Sequence, residues 1–151
     1  KTKLDSVNEL INTWKDRLGW DEYFMSIALM ISSRSPSARL HVGAVIVKDK
    51  RIISCGYNGF PAGAPHVSIV RNNHEQNAIH AEQNAISDAA KRGTEINDAT
   101  IYITHYPCIN CSKYIIASGI KKVIYHSNYK NDELVKELFQ HSNIEISEVG
   151  K

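Results

Sequence analysis

The sequence predicts a single α/β domain over residues 1–151, with a central mixed sheet of five strands that helices cover on both faces. The first observation is a continuous apolar run at residues 42–47, which is typical of a strand buried on both sides. The second is a turn at Asp49 and Lys50 followed by a strand-like segment at 51–57, which predicts an antiparallel hairpin. The third is the alternation of helix-like and strand-like segments through the rest of the chain.

Apolar residues at spacings of three and four predict an amphipathic helix at the start of the chain. They are Leu4, Val7, Ile11, Trp14 and Leu18. We expect this additional helix, residues 1–18, to be a packing element, either on its own domain or on a partner subunit. Gly19 ends it, and Asp21 can cap a second helix that runs to residue 31.

The later elements follow in alternation. Glycine and proline residues at 56–65 predict a structured loop that lines a pocket, and Cys55 just before it is expected to be a small buried residue. A polar loop then leads into a helix predicted at 81–90. A strand at 99–104, a helix at 108–118 that Gly119 ends, a strand at 123–125, a helix at 132–139 and a strand at 144–146 complete the domain.

Composition narrows the function classes. The formal net charge is +2 with no basic block, so the sequence does not indicate nucleic-acid binding through a broad electrostatic patch. Three cysteines are too few for a disulfide framework and favour a reducing compartment, hence a cytoplasmic protein. No apolar run approaches membrane-spanning length, and no signal peptide is visible.

One pattern carries chemistry. His80 and Glu82, followed by Pro107, Cys108 and Cys111, match the H-x-E … P-C-x-x-C signature of zinc deaminases. Imidazole and thiolates are zinc ligands, and a catalytic site keeps three protein ligands and one open position. His80, Cys108 and Cys111 supply three, and Glu82 is then a proton carrier beside the metal. The sequence therefore predicts one catalytic zinc ion in each subunit.

The predicted local structure suits this assignment. His80 and Glu82 would lie in the first turn of one helix, while Cys108 and Cys111 share a face in the first turn of another. Free N–H groups and the helix dipole favour thiolates at such an end. A closed structural zinc would need a fourth Cys or His at ligand spacing, and a redox C-x-x-C would not require the His-x-Glu pair.

The chain resembles the deoxycytidylate (dCMP) deaminases of the cytidine-deaminase superfamily, whose fold is a three-layer α/β/α sandwich. The resemblance covers residues 20–146. It rests on the two zinc motifs, on Arg34-Ser35-Pro36 before the buried strand, and on the glycine-rich segment 56–63. It implies zinc ligation by His80, Cys108 and Cys111 and proton transfer by Glu82.

The resemblance also implies substrate contacts. The N–H of Ala81 would hold the pyrimidine carbonyl, and Asn58 the sugar 3′-hydroxyl. Arg34 would face the phosphate, with Arg39 as the alternative, and Tyr129 would close over it. The implied reaction is hydrolysis of dCMP to dUMP and ammonia, which feeds dTMP synthesis.

Regulation is implied as well. Members of this family are commonly hexamers that dCTP activates and dTTP inhibits, with Mg²⁺ accompanying the effector. The corresponding effector loop would include Asn58, Gly59, Phe60, Ala62 and Gly63. Deamination of dCTP itself is a further candidate activity.

Two other classes share part of the pattern. A nucleic-acid-editing enzyme, such as a tRNA adenosine deaminase, would carry the same zinc motif with a more basic face. A non-catalytic zinc-stabilised module would have no use for Glu82. A second zinc ion is not expected, although His66, His74 and Cys55 are the nearby candidates.

Overall fold

The computed structural model describes residues 1–151, which form five helices and seven strands. The helices are α1 (Lys3–Asn12), α2 (Trp20–Ser32), α3 (Ala81–Arg92), α4 (Ile109–Ala117) and α5 (Glu133–His141). The strands are β1 (Gly43–Lys48), β2 (Arg51–Tyr57), β3 (Val70–Arg71), β4 (His74–Glu75), β5 (Thr100–His105), β6 (Lys122–Ser127) and β7 (Glu145–Glu148).

The central sheet has five strands in the order β2-β1-β5-β6-β7. β1 is antiparallel to both β2 and β5, while β6 is parallel to both β5 and β7. The predicted mixed sheet and its hairpin are therefore confirmed. Because β5 is antiparallel to β1 and parallel to β6, its carboxyl end lies beside the start of β1 and the end of β6.

Two apolar clusters hold helices to opposite faces of this sheet. On one face, Phe24, Met25 and Ala28 of α2 pack against Val45 of β1 and Tyr102 of β5. The larger cluster on the other face includes Ala85 and Ala89 of α3, Ile115 of α4 and Phe139 of α5, all of them buried. The two clusters make the molecule a three-layer sandwich, as predicted.

Gly56 allows α3 to approach the sheet closely. A Cβ atom at this position would lie 2.6 Å from the backbone nitrogen of Ala85 and 2.8 Å from the carbonyl oxygen of Ala81. In addition, the Ser54 hydroxyl donates to the carbonyl of Ala85 at 2.6 Å. Because Gly56 has no side chain, the first turn of α3 can pack closely on β2. This turn carries the predicted catalytic residues.

The structure differs from the sequence-based expectations in three places. The first helix ends at Asn12, and none of its residues is buried. Cys55 is exposed rather than buried, because Ser54 and Gly56 take the buried side of β2 and alternation turns Cys55 outward. The predicted polar loop contains a two-stranded hairpin, β3 and β4. No helix in the structure is long and apolar enough to cross a membrane.

Candidate active site

Two helix N-termini meet at the cluster predicted from the sequence. His80 is the N-cap of α3, and its backbone N–H donates to the side-chain oxygen of Gln83 at 3.0 Å. Cys108 is the N-cap of α4, and its sulfur accepts a hydrogen bond from the N–H of Cys111 at 3.4 Å. Both helix dipoles thus place their positive ends at the same point, which suits thiolate side chains.

The ligand atoms of His80, Cys108 and Cys111 all lie within 4.8 Å of one another. Nδ1 of His80 is 3.2 Å from Sγ of Cys111 and 3.6 Å from Sγ of Cys108. Tetrahedral zinc, with bonds of about 2.1 Å to nitrogen and about 2.3 Å to sulfur, requires nitrogen–sulfur separations of about 3.6 Å. The donor set and its spacing therefore fit zinc, with Nδ1 as the imidazole ligand atom.

The thiol of Cys108 is strongly acidic in this setting. Hydrogen bonding by the thiol of Cys111, and then by His80, lowers the pKa of Cys108 to about 4. The hydrogen bond to Cys108 in turn raises the pKa of His80, and contact with Cys108 together with burial raises that of Cys111. A proton is therefore held among these groups, and metal binding would displace it.

Glu82 lies beside this cluster and is only 4% exposed. It is the second residue of α3, so its carboxyl group sits in the first turn. Burial raises the pKa of this carboxyl to about 7. A carboxyl group with such a pKa can both accept and donate a proton near neutral pH, which is what a general acid–base catalyst requires.

A cavity of about 180 Å³ opens above Glu82 and the cluster. A single water molecule needs roughly 10–15 Å³ on the same measure, so the cavity can admit a small organic molecule. Its walls come from the segments before β1 and after β2, from the end of β5 and the segment after β6, and from the starts of α3 and α4. The lining residues are Leu40, Val42, Asn58, His80, Ala81, Glu82, His105, Tyr106, Cys108, Tyr129 and Lys130.

Three of the four predicted substrate-binding residues line this cavity. Ala81 is the first residue of α3, where backbone N–H groups have no partner within the helix. Two backbone hydrogen bonds hold the side-chain amide of Asn58 in place. Its oxygen accepts from the N–H of Val42 at 2.8 Å, and its N–H donates to the carbonyl of Leu40 at 2.7 Å. Tyr129 stands edge-on to His105, with ring centroids 5.7 Å apart.

The structure does not bring the predicted arginines to the cavity wall. Arg34 is exposed in the turn after α2, where its backbone N–H bonds the carbonyl of Ile31, and Arg39 is exposed in the following loop. Their roles stay predictions. The cation in the wall is instead Lys130, with its Nζ 5.2 Å from the ring centroid of Tyr129.

Lys130 and His105 were not identified from the sequence. Lys130 follows Tyr129 directly, and His105 precedes the zinc motif by two residues, so proximity in sequence to recognised residues was the available signal. His105 is partly buried, and burial, followed by the nearby charge of His126, lowers its pKa below the ordinary value of 6.5. The ring therefore stays neutral near pH 7.

The predicted effector loop is tied to the start of α3. Gly59 and Ile79 exchange two backbone hydrogen bonds, at 3.1 and 2.6 Å, and Ile79 immediately precedes His80. Gly63 has a φ of +85°, which favours glycine, and nothing lies within 4 Å of the position its Cβ would take. Asn58 and Phe60 are half-buried, and Ala62 is exposed.

Residues 18–127 match the family model of the cytidine and deoxycytidylate deaminase zinc-binding region. The chain belongs to this family. It is 43% identical over 138 residues to ComE operon protein 2 of Bacillus subtilis (strain 168), covering 89% of this chain and 73% of that protein. It is 33% identical over 150 residues to the deoxycytidylate deaminase of Schizosaccharomyces pombe, covering 91% of this chain but only 46% of that protein.

A solved structure agrees with these sequence relatives. The dCMP deaminase of the cyanophage S-TIM5, in complex with dCMP and dUMP, is 32% identical and superposes with a TM-score of 0.78. The match covers 85% of this chain and 95% of that one. Family membership confirms the predicted fold and the deaminase class, so a non-catalytic zinc module is excluded. His80, Cys108 and Cys111 are the residues of this deaminase that would hold the family's zinc ion.

Proposed function

We propose that this protein deaminates dCMP hydrolytically, giving dUMP and ammonia. The observation that carries the proposal is the buried Glu82, whose carboxyl lies next to three zinc-type ligands at the base of an open cavity. The likeness to a dCMP deaminase that binds both dCMP and dUMP supports the choice of substrate. The dUMP formed would supply dTMP synthesis.

Glu82 moves the protons of this reaction. When bound, a zinc ion would act as a Lewis acid that lowers the pKa of the water on it towards about 7. Glu82 takes a proton from the attacking water and passes it to ring nitrogen N3 while the water oxygen bonds to carbon C4. Glu82 then takes the remaining proton from the oxygen on C4 and delivers it to the exocyclic amine, so the C4–N bond breaks as the C4=O bond of dUMP forms and ammonia leaves. Its pKa of about 7 suits both directions of transfer.

The cavity walls position the nucleoside. The free N–H of Ala81 binds the pyrimidine carbonyl at the helix start, where the dipole favours an oxygen acceptor. Asn58 uses one amide N–H and one oxygen lone pair on the backbone, so a second N–H and a second lone pair remain for the sugar 3′-hydroxyl. The two backbone bonds hold the amide in one orientation.

Lys130 supplies the positive charge for the phosphate. It lies in the cavity wall beside Tyr129, which closes over the same group. Its backbone φ of 47° belongs to the left-handed region, so the chain turns sharply where the lysine faces the cavity. Arg34, which lies outside the cavity wall, remains a second candidate for this phosphate.

Regulation by dCTP and dTTP, with Mg²⁺, is part of the proposal, as is a hexameric assembly. The hydrogen bonds between Gly59 and Ile79 support the regulatory part of the proposal. A ligand bound to residues 58–63 could shift Ile79 through them, and Ile79 is the residue next to His80. We also propose a cytoplasmic location, where the free thiols of the chain stay reduced. Deamination of dCTP would require the cavity to accept two further phosphates.

Steady-state ammonia release from dCMP, dCTP, deoxycytidine and tRNA tests this function. We expect dCMP to have the highest kcat/KM, with activation by added dCTP and inhibition by added dTTP. Comparable turnover of dCTP would extend the substrate range. Turnover of tRNA without turnover of dCMP would overturn the proposal in favour of a nucleic-acid-editing deaminase.

A further inference from the structure

A buried hydroxyl connects the start of β1 to the cavity wall. The backbone N–H of Gly43 donates to Oγ1 of Thr104 at 3.1 Å, and the same oxygen lies 2.8 Å from Nδ1 of His105. Thr104 is only 1% exposed. The antiparallel pairing of β1 with β5 produces this contact, because it brings the end of β5 next to Gly43.

The hydrogen atoms of this chain of contacts can be assigned. A threonine hydroxyl has one O–H to donate and two lone pairs that accept. Gly43 fills one lone pair of Thr104, and a buried O–H needs an acceptor. Nδ1 of His105 is the one acceptor within hydrogen-bond distance of this hydroxyl. The Thr104 O–H therefore points to Nδ1.

The consequence concerns the tautomer of His105. A neutral imidazole that accepts a hydrogen bond at Nδ1 carries its proton at Nε2. Since Nδ1 faces the buried Thr104 and the ring lines the cavity, the Nε2–H is left on the cavity side. Burial keeps the ring neutral by lowering its pKa. The Nε2 atom of His105 therefore presents a fixed hydrogen-bond donor to the cavity.

We propose that Thr104 is a positioning residue that fixes the Nε2–H tautomer of His105, so that His105 donates a hydrogen bond to a phosphate oxygen of the nucleotide. The phosphate is the group assigned because the His105 ring contacts Tyr129, and Tyr129 lies next to the cation of Lys130. The assignment of the phosphate as the acceptor rests on the proposed function, whereas the assignment of the His105 tautomer is independent of it.

The tautomer is measured directly by long-range ¹H–¹⁵N correlation spectra of the zinc-loaded protein, with the His105 signals assigned from a His105→Gln variant. We expect an unprotonated Nδ1 and a protonated Nε2. Thr104→Ser keeps the hydroxyl and should keep this spectrum, whereas Thr104→Val should give a mixture of tautomers. A protonated Nδ1 in the wild type would overturn the proposal, even if the Val variant failed to fold.

Kinetics separate the phosphate contact from a purely structural role. His105→Phe keeps a ring but loses the donor, whereas Gln keeps a donor near the position of Nε2. A hydrogen bond to a charged group contributes about 1.5–3 kcal/mol, so we expect His105→Phe to raise KM for dCMP roughly 10- to 150-fold. KM for deoxycytidine and kcat should change little, and His105→Gln should restore most of the affinity for dCMP. Equal losses on both substrates would overturn the phosphate assignment.

The two parts fail separately. If the protein turned over none of the cytosine nucleotides but showed the expected spectrum, the proposed function would fall and the tautomer assignment would stand. If dCMP were the preferred substrate and the spectrum showed the other tautomer, the proposed function would stand alone.

Discussion

Sγ of Cys111, in the first turn of α4, lies 3.2 Å from Nδ1 of His80, the N-cap of α3, although the two residues are 31 positions apart in the chain. This contact joins the N-termini of α3 and α4, and Glu82 lies two residues from the histidine. His80 and Glu82 therefore share the first turn of α3, whereas Cys108 and Cys111 share that of α4, so the placement of Glu82 against the two cysteines depends on how the two helix ends meet. The predictions below probe this arrangement and the cavity above it.

Replacing Glu82 by glutamine should abolish turnover but not metal binding. The amide is similar in size to the carboxylic acid and cannot carry protons. A positioned general acid–base group raises the reaction rate about 100- to 10,000-fold. We therefore expect kcat to fall by about this factor or more, while the zinc content stays unchanged. Glu137→Gln on the exposed side of α5 is the matched control. A Glu82→Gln variant with near-normal kcat would remove Glu82 from the mechanism.

Removing zinc should lower both activity and stability. Free zinc at 100 times its Kd would stabilise the folded state by about 2.7 kcal/mol, which raises the Tm of a domain of this size by about 5–10 °C. Thermal melting with a chelator, and again after zinc is restored, measures this shift. Cys111→Ser should reduce bound zinc, whereas Cys55→Ser should not, because Cys55 is exposed on β2 outside the cluster. Equal zinc loss in both variants would contradict the assignment.

Replacing Lys130 by methionine should weaken dCMP selectively. Methionine keeps much of the chain length and removes the charge. Loss of a charge-assisted contact of about 1.5–3 kcal/mol should lower kcat/KM for dCMP roughly 10- to 150-fold and leave deoxycytidine nearly unaffected. Lys136→Met, at an exposed position of α5, is the control. An unchanged preference for dCMP over deoxycytidine would shift the phosphate contact to Arg34.

Replacing Gly56 by alanine should displace the start of α3. The new methyl group would meet the backbone of Ala85 at 2.6 Å and that of Ala81 at 2.8 Å. Overpacking of this kind costs about 1–3 kcal/mol, which denaturant unfolding would measure, and zinc affinity should fall with it. Gly19→Ala is the control, since its nearest neighbour would be Glu22 at 3.6 Å. Equal effects at the two glycines would show that α3 can shift freely.

His105 should contribute a pH-dependent part of the stability. Its pKa in the folded protein lies below 6.5, chiefly because of burial, while the unfolded chain keeps the ordinary value of about 6.5. Below about pH 6.5 the unfolded state therefore binds more protons than the folded state, and stability falls as the pH drops towards the folded pKa. His105→Gln should lose less stability between about pH 7 and the folded pKa than the wild type in excess zinc. The exposed His74→Gln variant should behave like the wild type.

The clustering of His80, Cys108 and Cys111 and the position of Glu82 beside it could be predicted from the sequence because these residues lie at the N-caps and first turns of helices. At such positions spacing in the chain determines spacing in space, so His80 and Glu82, or Cys108 and Cys111, need little tertiary information. The strand β1 could also be predicted from the sequence. A strand that is buried on both faces consists of a continuous apolar run, and residues 42–47 form such a run.

Other parts of the site depend on tertiary structure. His105 and Lys130 reach the same cavity because β5 and β6 are parallel and end at the same edge, and no local pattern states that pairing. The exposure of Cys55 follows from which side of β2 faces α3, since Ser54 and Gly56 take that side. Similarly, the backbone bonds that occupy the Asn58 amide require the loop before β1 to lie against the end of β2.

The change of strand direction at β5 has a consequence for how such a site can evolve or be engineered. The candidate zinc ligands and Glu82 lie at the starts of α3 and α4, whereas the outer wall includes the short segments before β1 and after β6. Residues at the tips of these segments, Leu40 before β1 and Tyr129 and Lys130 after β6, could therefore be exchanged without replacing any residue of the His80, Cys108 and Cys111 cluster.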